Sequence, residues 1–226
     1  MKLHTLLAYI GQTGEMGKAR TFWDWFLKHQ NKYLFLNLVD PGEKERLMHA
    51  LLTELHRYSE HLSFEIGEDP AEEQLHLIIT AEGISEHFPA VELLTELAPA
   101  MDNWRVVALK PPIAGAFKIA LEGREFEPQT TFFMPLFSEN NPEAVALQVC
   151  YPDYTEEDRE LFLQGTYLLL DSLLGERATT LDIHYLKVCK TPEDVEKYDI
   201  RPLQEVASYI AGKKKNRGGW GQRSLD

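Results

Sequence analysis

The chain has 226 residues, with 23 Lys and Arg against 36 Asp and Glu, 44% hydrophobic residues, 11% aromatic residues and two cysteines. That length and balance suit a folded globular protein and exclude disordered, fibrous and disulfide-scaffold classes. Removing the last fourteen residues, which carry five bases and one acid, takes the net charge from −13 to −17, so the body repels phosphates and favours basic partners over nucleic acid or an anionic membrane.

Residues 1–17 open with MKLHTLLAYI, which is too short to span a bilayer and has no small-residue cleavage site. They are expected to form a flexible leader, with Met16 as an alternative start. Residues 18–33 (KARTFWDWFLKHQNKY) carry Phe22 and Phe26 four apart, which predicts a helix whose aromatic cluster packs inward. Asp40, Pro41 and Glu43 supply an N-cap, a first-turn proline and a capping-box acid for a second helix to about His61. Leu47, Met48, Leu51, Leu52, Leu55 and Tyr58 line one arc of it. An amphipathic helical pair over 18–61 is the result.

From residue 62 the period changes to that of strands. Ser63 to Ile66, Leu75 to Ala81 and Trp104 to Leu109 read as strands, with a helix from Ser85 to about Leu97, giving the order ββαβ over 62–110. The same order returns over 128–189: strands at 130–136, 145–151 and 181–189, with an apolar helix 156–174 expected to be largely buried. The connector 110–128 is expected to hold a short helix. Pro202 to Ala211 reads as a final helix, and 213–226 as a basic mobile tail around Trp220. The expected fold is therefore α+β: pseudo-repeated ββαβ units forming mixed or antiparallel sheet with helices packed on it. One domain over 18–212 is expected, because no Gly, Ser or Pro-rich linker interrupts it.

Four patterns invite a chemical reading. Gly11, Gly14, Gly17 and Lys18 resemble a phosphate loop, but five residues separate Gly11 from Gly17 and Ala19 stands where magnesium needs Ser or Thr. His49, Thr53, His56 and Glu60 share a helix face, yet histidines seven apart lie about 10 Å apart along the axis and cannot share a metal. They read as a solvated face with Glu45–His49 and His56–Glu60 contacts. The acidic runs 65–73 and 153–160 read as a hairpin turn and a helix first turn. His184 reads as a strand histidine hydrogen-bonded locally.

Cys150 and Cys189 each follow a valine near a strand end, with no CxxC spacing. They are expected to be free, buried structural thiols in a reducing cytoplasm, a single bridge being the alternative. No catalytic, cofactor-binding or metal-ligating residue is assigned.

FWDWF, LIITAEG followed by FPAVELL, and LLLDSLLGE resemble segments of an uncharacterised family of bacterial proteins. The resemblance implies a bacterial cytoplasmic α+β protein and carries no site residue. The expected function is a non-enzymatic regulatory or binding module with an acidic surface, its partner a basic protein, with no cofactor and no membrane. The alternative is an enzyme, of hydrolase type, whose site is assembled from dispersed residues.

Overall fold

A computed structural model describes residues 3–68 and 72–218, with the side chains of 3–13 and 216–218 left aside. The fold is α+β with mixed sheets. The chain divides into two compact units, Met1–Lys110 and Pro111–Asp226. The division falls at Pro111 and Pro112, which cannot extend a strand ladder.

In the first unit, α1 runs over Leu3–His29 as one helix, so residues expected as a flexible leader are helical from Leu3 onward. Phe22, Trp23 and Phe26 on α1 are buried, and the Trp23 indole N–H donates to the Leu94 carbonyl at 2.8 Å. The second helix, α2 (Pro41–Tyr58), starts as its cap residues require: Asp40 accepts from the Glu43 N–H at 3.1 Å. Leu47, Leu51, Leu55 and Tyr58 are its buried residues. Strands β1 (Ser63–Glu68), β2 (Leu75–Thr80) and β3 (Trp104–Ala108) form a sheet in that order. The β1/β2 pair is antiparallel, and β2 and β3 are parallel across α3 (Phe88–Glu96).

The second unit opens with a hairpin, β4 (Ile119–Leu121) and β5 (Arg124–Phe126), where a short helix was expected. Glu122 and Gly123 both take positive φ, the two-residue turn whose twist matches a hairpin. The main sheet has the order β8-β7-β6-β9, from β6 (Phe132–Leu136), β7 (Val145–Tyr151), β8 (Ile183–Lys190) and β9 (Arg201–Pro202). The β6/β7 pair is antiparallel, whereas β7 and β8 are parallel across α4 (Arg159–Leu174) and α5 (Glu176–Asp182). Leu181 and Asp182 belong to α5 and not to the last strand, because Gly175 at φ 80° breaks the helical run and starts a second short helix.

α4 is less buried than its composition predicts. Phe162, Gly165, Thr166, Leu169 and Leu170 face the core, while Tyr167 and Leu168 are exposed. The final helix α6 (Val206–Gly218) carries Lys213, Lys214 and Lys215, so the expected tail is helical to Gly218 and its remainder lies outside the described residues. Lys213 donates to the Pro142 and Ala144 carbonyls, and Lys214 pairs with Asp182 at 2.7 Å. Among the described residues, no helix is long and apolar enough to cross a membrane.

Candidate functional site: a dithiol at the end of a parallel strand pair

The parallel pair β7 and β8 is in register as Val149↔Val188, Cys150↔Cys189 and Tyr151↔Lys190. Side chains alternate along a strand, so Val145, Leu147, Val149 and Tyr151 enter the core with Val188, while Ala146, Gln148 and Cys150 take the opposite face. Lys187 and Cys189 follow the same alternation on β8. The two thiols are thus brought side by side on one face, their sulfurs 3.3 Å apart and sharing a hydrogen bond.

Their surroundings differ. Cys150 lies on a strand flanked by β6 and β8 and is fully buried; its thiol also donates to the Gln148 carbonyl at 3.7 Å. Cys189 lies on the edge strand β8 and is half-buried. The shared hydrogen bond, followed by burial, pushes the Cys150 thiol up. The same bond, a hydrogen bond from the Gln148 side chain and the charge of Lys187 outweigh burial at Cys189 and push it down. The two thiols are therefore pushed in opposite directions, the fully buried one up and the half-buried one down.

The carboxyl end of this strand pair is held fixed. The Thr191 N–H donates to the Tyr151 carbonyl at 3.0 Å, closing the ladder just beyond the two sulfurs. Inside, the Thr166 hydroxyl donates to the Phe162 carbonyl at 2.6 Å, so the Tyr151 hydroxyl, 2.7 Å away, donates to Thr166. Burial pushes the Tyr151 phenol up, keeping it neutral. Arg124 lies over the Phe162 ring at 4.2 Å and pairs with Asp153.

The other patterns singled out in the sequence do not assemble a site. The glycines of GQTGEMGK fall inside α1, where no open loop exists to wrap a phosphate. The expected Glu45–His49 and His56–Glu60 pairs do not form: Thr53 donates to the His49 carbonyl at 2.8 Å, and the His56 Nε2 meets the Leu62 carbonyl at 3.1 Å. A chain that turns at Ser59 brings that carbonyl closer to His56 than Glu60. In the first acidic run, Glu72 pairs with His76 and Arg105, and Glu65 pairs with Lys110 at 3.2 Å. In the second, Asp158 and Thr155 exchange the capping hydrogen bonds of a helix start. His184 accepts from the Val145 N–H at 3.2 Å, beside an irregularity in the β7/β8 register between Val145 and Ala146. Among the described residues, no group of three or more His, Cys, Asp and Glu is placed to hold a metal.

A cleft of about 350 Å³ in the first unit is lined by Tyr33, Leu36, Lys44, Met48 and Ile66 among others. Its polar side chains are Tyr33, Asn37, Lys44 and Glu68. Spacing within one segment does not reveal the thiol pair, since Cys150 and Cys189 stand 39 residues apart. The available signal was the repeated Val-Cys ending of two strands that flank a crossover helix, because such strands are commonly neighbours in one sheet. Comparison with protein-family models, curated proteins and solved structures finds no match for the chain, and thus none for the family resemblance drawn from FWDWF and its companion segments.

Proposed function

We propose that the protein is a thiol-based redox switch, in which Cys150 and Cys189 pass reversibly between a dithiol and a disulfide. The observation that carries this reading is the in-register placement of two free sulfurs at 3.3 Å on adjacent strands. Neighbouring strands run about 4.8 Å apart, within the roughly 4.4–6.8 Å that a disulfide needs between Cα atoms but at its short end. The sulfurs need to close from 3.3 Å to about 2.05 Å to form the bond, and a bridge at the short end of the span favours an easily reduced link over a permanent staple. Two-electron oxidation releases both thiol protons and requires an external acceptor, for which a disulfide or a peroxide suffices.

The reading keeps the expectation of a cytoplasmic regulatory module. Thiols rest reduced in that compartment, and disulfides there are characteristically transient. The net charge of −13 favours a basic protein as the partner whose binding the switch adjusts. We further read the two sheets as copies of one ββαβ design. Each has an antiparallel pair followed by a parallel pair across helix, and the register pairs Ile79↔Ala108 and Val149↔Val188 occupy matching positions. The next residues along are Thr80 and Leu109 in one sheet and the two cysteines in the other, so only the second copy carries the switch.

The test is intact mass after mild oxidation, followed by alkylation under denaturing, non-reducing conditions. The expected result is loss of two hydrogens, no alkylation, and a single Cys150–Cys189 cross-linked peptide that a reductant abolishes. Two alkylations after oxidation, or a disulfide between chains, would contradict the proposal.

A further inference from the structure

The two thiols of the switch are not equivalent. Resting on the dithiol reading, we infer that Cys189 is the attacking thiol, that Cys150 is the resolving thiol, and that the oxidant received is a small anionic disulfide of the glutathione class.

Access decides the first assignment. Thiol–disulfide exchange needs the attacking sulfur to approach a disulfide in line with the bond it breaks. Cys150 has no exposed surface and sits on an inner strand, with Phe132 opposite it on β6 and Cys189 opposite it on β8. An external disulfide cannot reach it. Cys189 is half-buried on the edge strand, where one side of the backbone has no neighbouring strand.

Charge decides the rest. The thiolate is the nucleophile, and Cys189, the sulfur that can be reached, is also the one pushed toward that form by the Cys150 sulfur 3.3 Å away, the Gln148 side chain and the charge of Lys187. Lys187 precedes Cys189 by two residues and so lies on the same face of β8, close enough to bear on the thiolate. Salt screens the net charge of −13 beyond about 10 Å, whereas at contact range the Lys187 cation beside the attacked bond favours a disulfide that carries carboxylates and stabilises the thiolate that leaves.

The steps balance. The Cys189 thiolate attacks RSSR, forming Cys189–S–S–R and releasing one RS⁻. The Cys150 sulfur then attacks the Cys189 sulfur 3.3 Å away, its proton passing to the departing thiolate, so that the Cys150–Cys189 bond forms and the second RS group leaves as RSH. Two protein thiols are oxidised and one disulfide is reduced to two thiols.

The experiment exposes full-length wild type, Cys150→Ser and Cys189→Ser to glutathione disulfide, quenches with acid and reads intact masses. Wild type is expected to lose two hydrogens without retaining an adduct. Cys150→Ser is expected to accumulate one glutathionyl group per chain, and Cys189→Ser to stay unmodified. Cys150→Ala, with thermal unfolding of each variant, separates a chemical effect from loss of fold. A fourth variant, Lys187→Gln, is compared at a pH well above the Cys189 ionisation, so that the thiolate fraction is saturated. It is expected to slow the reaction with glutathione disulfide several-fold and to leave uncharged hydroxyethyl disulfide unaffected. If wild type forms its internal bond but the adduct builds on Cys189→Ser and not on Cys150→Ser or Cys150→Ala, the assignment of roles is overturned. Equal slowing of both disulfides by Lys187→Gln overturns the anionic oxidant. Absence of any internal bond in wild type overturns the switch itself.

Discussion

Replacing Gly165 by alanine probes the packing that holds the thiol-bearing strands. Gly165 lies on the buried face of α4, and a Cβ there would stand 2.4 Å from the Phe126 Cζ, with two further ring carbons at 2.5 and 2.7 Å. The ring has little room to yield. Phe126 is 1% exposed and meets Phe162 and Tyr151 edge-on at centroid distances of 6.0 and 5.8 Å. Overpacking of a tight core costs about 1–3 kcal/mol, and a rigid ring at this separation calls for the upper end, about 3 kcal/mol. Alanine returns about 1 kcal/mol through helix propensity. The net loss is about 2 kcal/mol, which for a unit of this size lowers the melting temperature by about 8 °C. Differential scanning calorimetry or denaturant unfolding of Gly165→Ala measures it. Phe126→Leu in the same chain should relieve the clash, giving a favourable coupling of about 1 kcal/mol or more in a double-mutant cycle. A Gly165→Ala protein as stable as wild type, with no coupling to Phe126, would refute the argument.

Three further outcomes are expected. Asp40→Ala removes the acceptor for the Glu43 N–H at the start of α2 and should cost about 1 kcal/mol in urea unfolding, with Asp40→Asn retaining most of the stability. Tyr33 and Tyr58 are pushed up to about 12, chiefly by burial, while an unfolded tyrosine ionises near 10. Above pH 10 the unfolded chain therefore binds fewer protons than the folded one, so stability should fall between pH 10 and 12, with phenolate absorbance rising as the chain unfolds. Alkylation of native protein by iodoacetamide should modify Cys189 first, with a half-maximal rate at a pH below the roughly 8.5 of an ordinary thiol. Cys150→Ala, which removes the sulfur 3.3 Å away, should move that profile upward.

The legible part of the sequence was local. The cap at Asp40, the buried arc of α2 and the α+β mixture of helices with mixed sheets follow from spacing and turn residues, and the structure has them. The misread segments depended on partners distant in sequence or on one residue's backbone. Ile119–Phe126 reads weakly as strand because each of its strands has three residues, and its form rests on the Glu122–Gly123 turn. Asp182 and Leu181 were assigned to a strand because nothing in their composition marks the helix that Gly175 restarts. The dithiol shows the same limit. Each cysteine alone looks like a small apolar filler, and only the β7/β8 register sets the two side by side.

The central claim is tested most directly by equilibrating the full chain in glutathione buffers of graded potential and counting alkylatable thiols at each. The expected curve is a single two-electron transition, tenfold in the oxidised-to-reduced ratio per roughly 30 mV, independent of protein concentration, with a midpoint above about −300 mV. Two thiols alkylated across the whole range, or oxidation that grows with protein concentration, would contradict an intramolecular switch. So would a midpoint well below about −300 mV, where permanent structural disulfides lie.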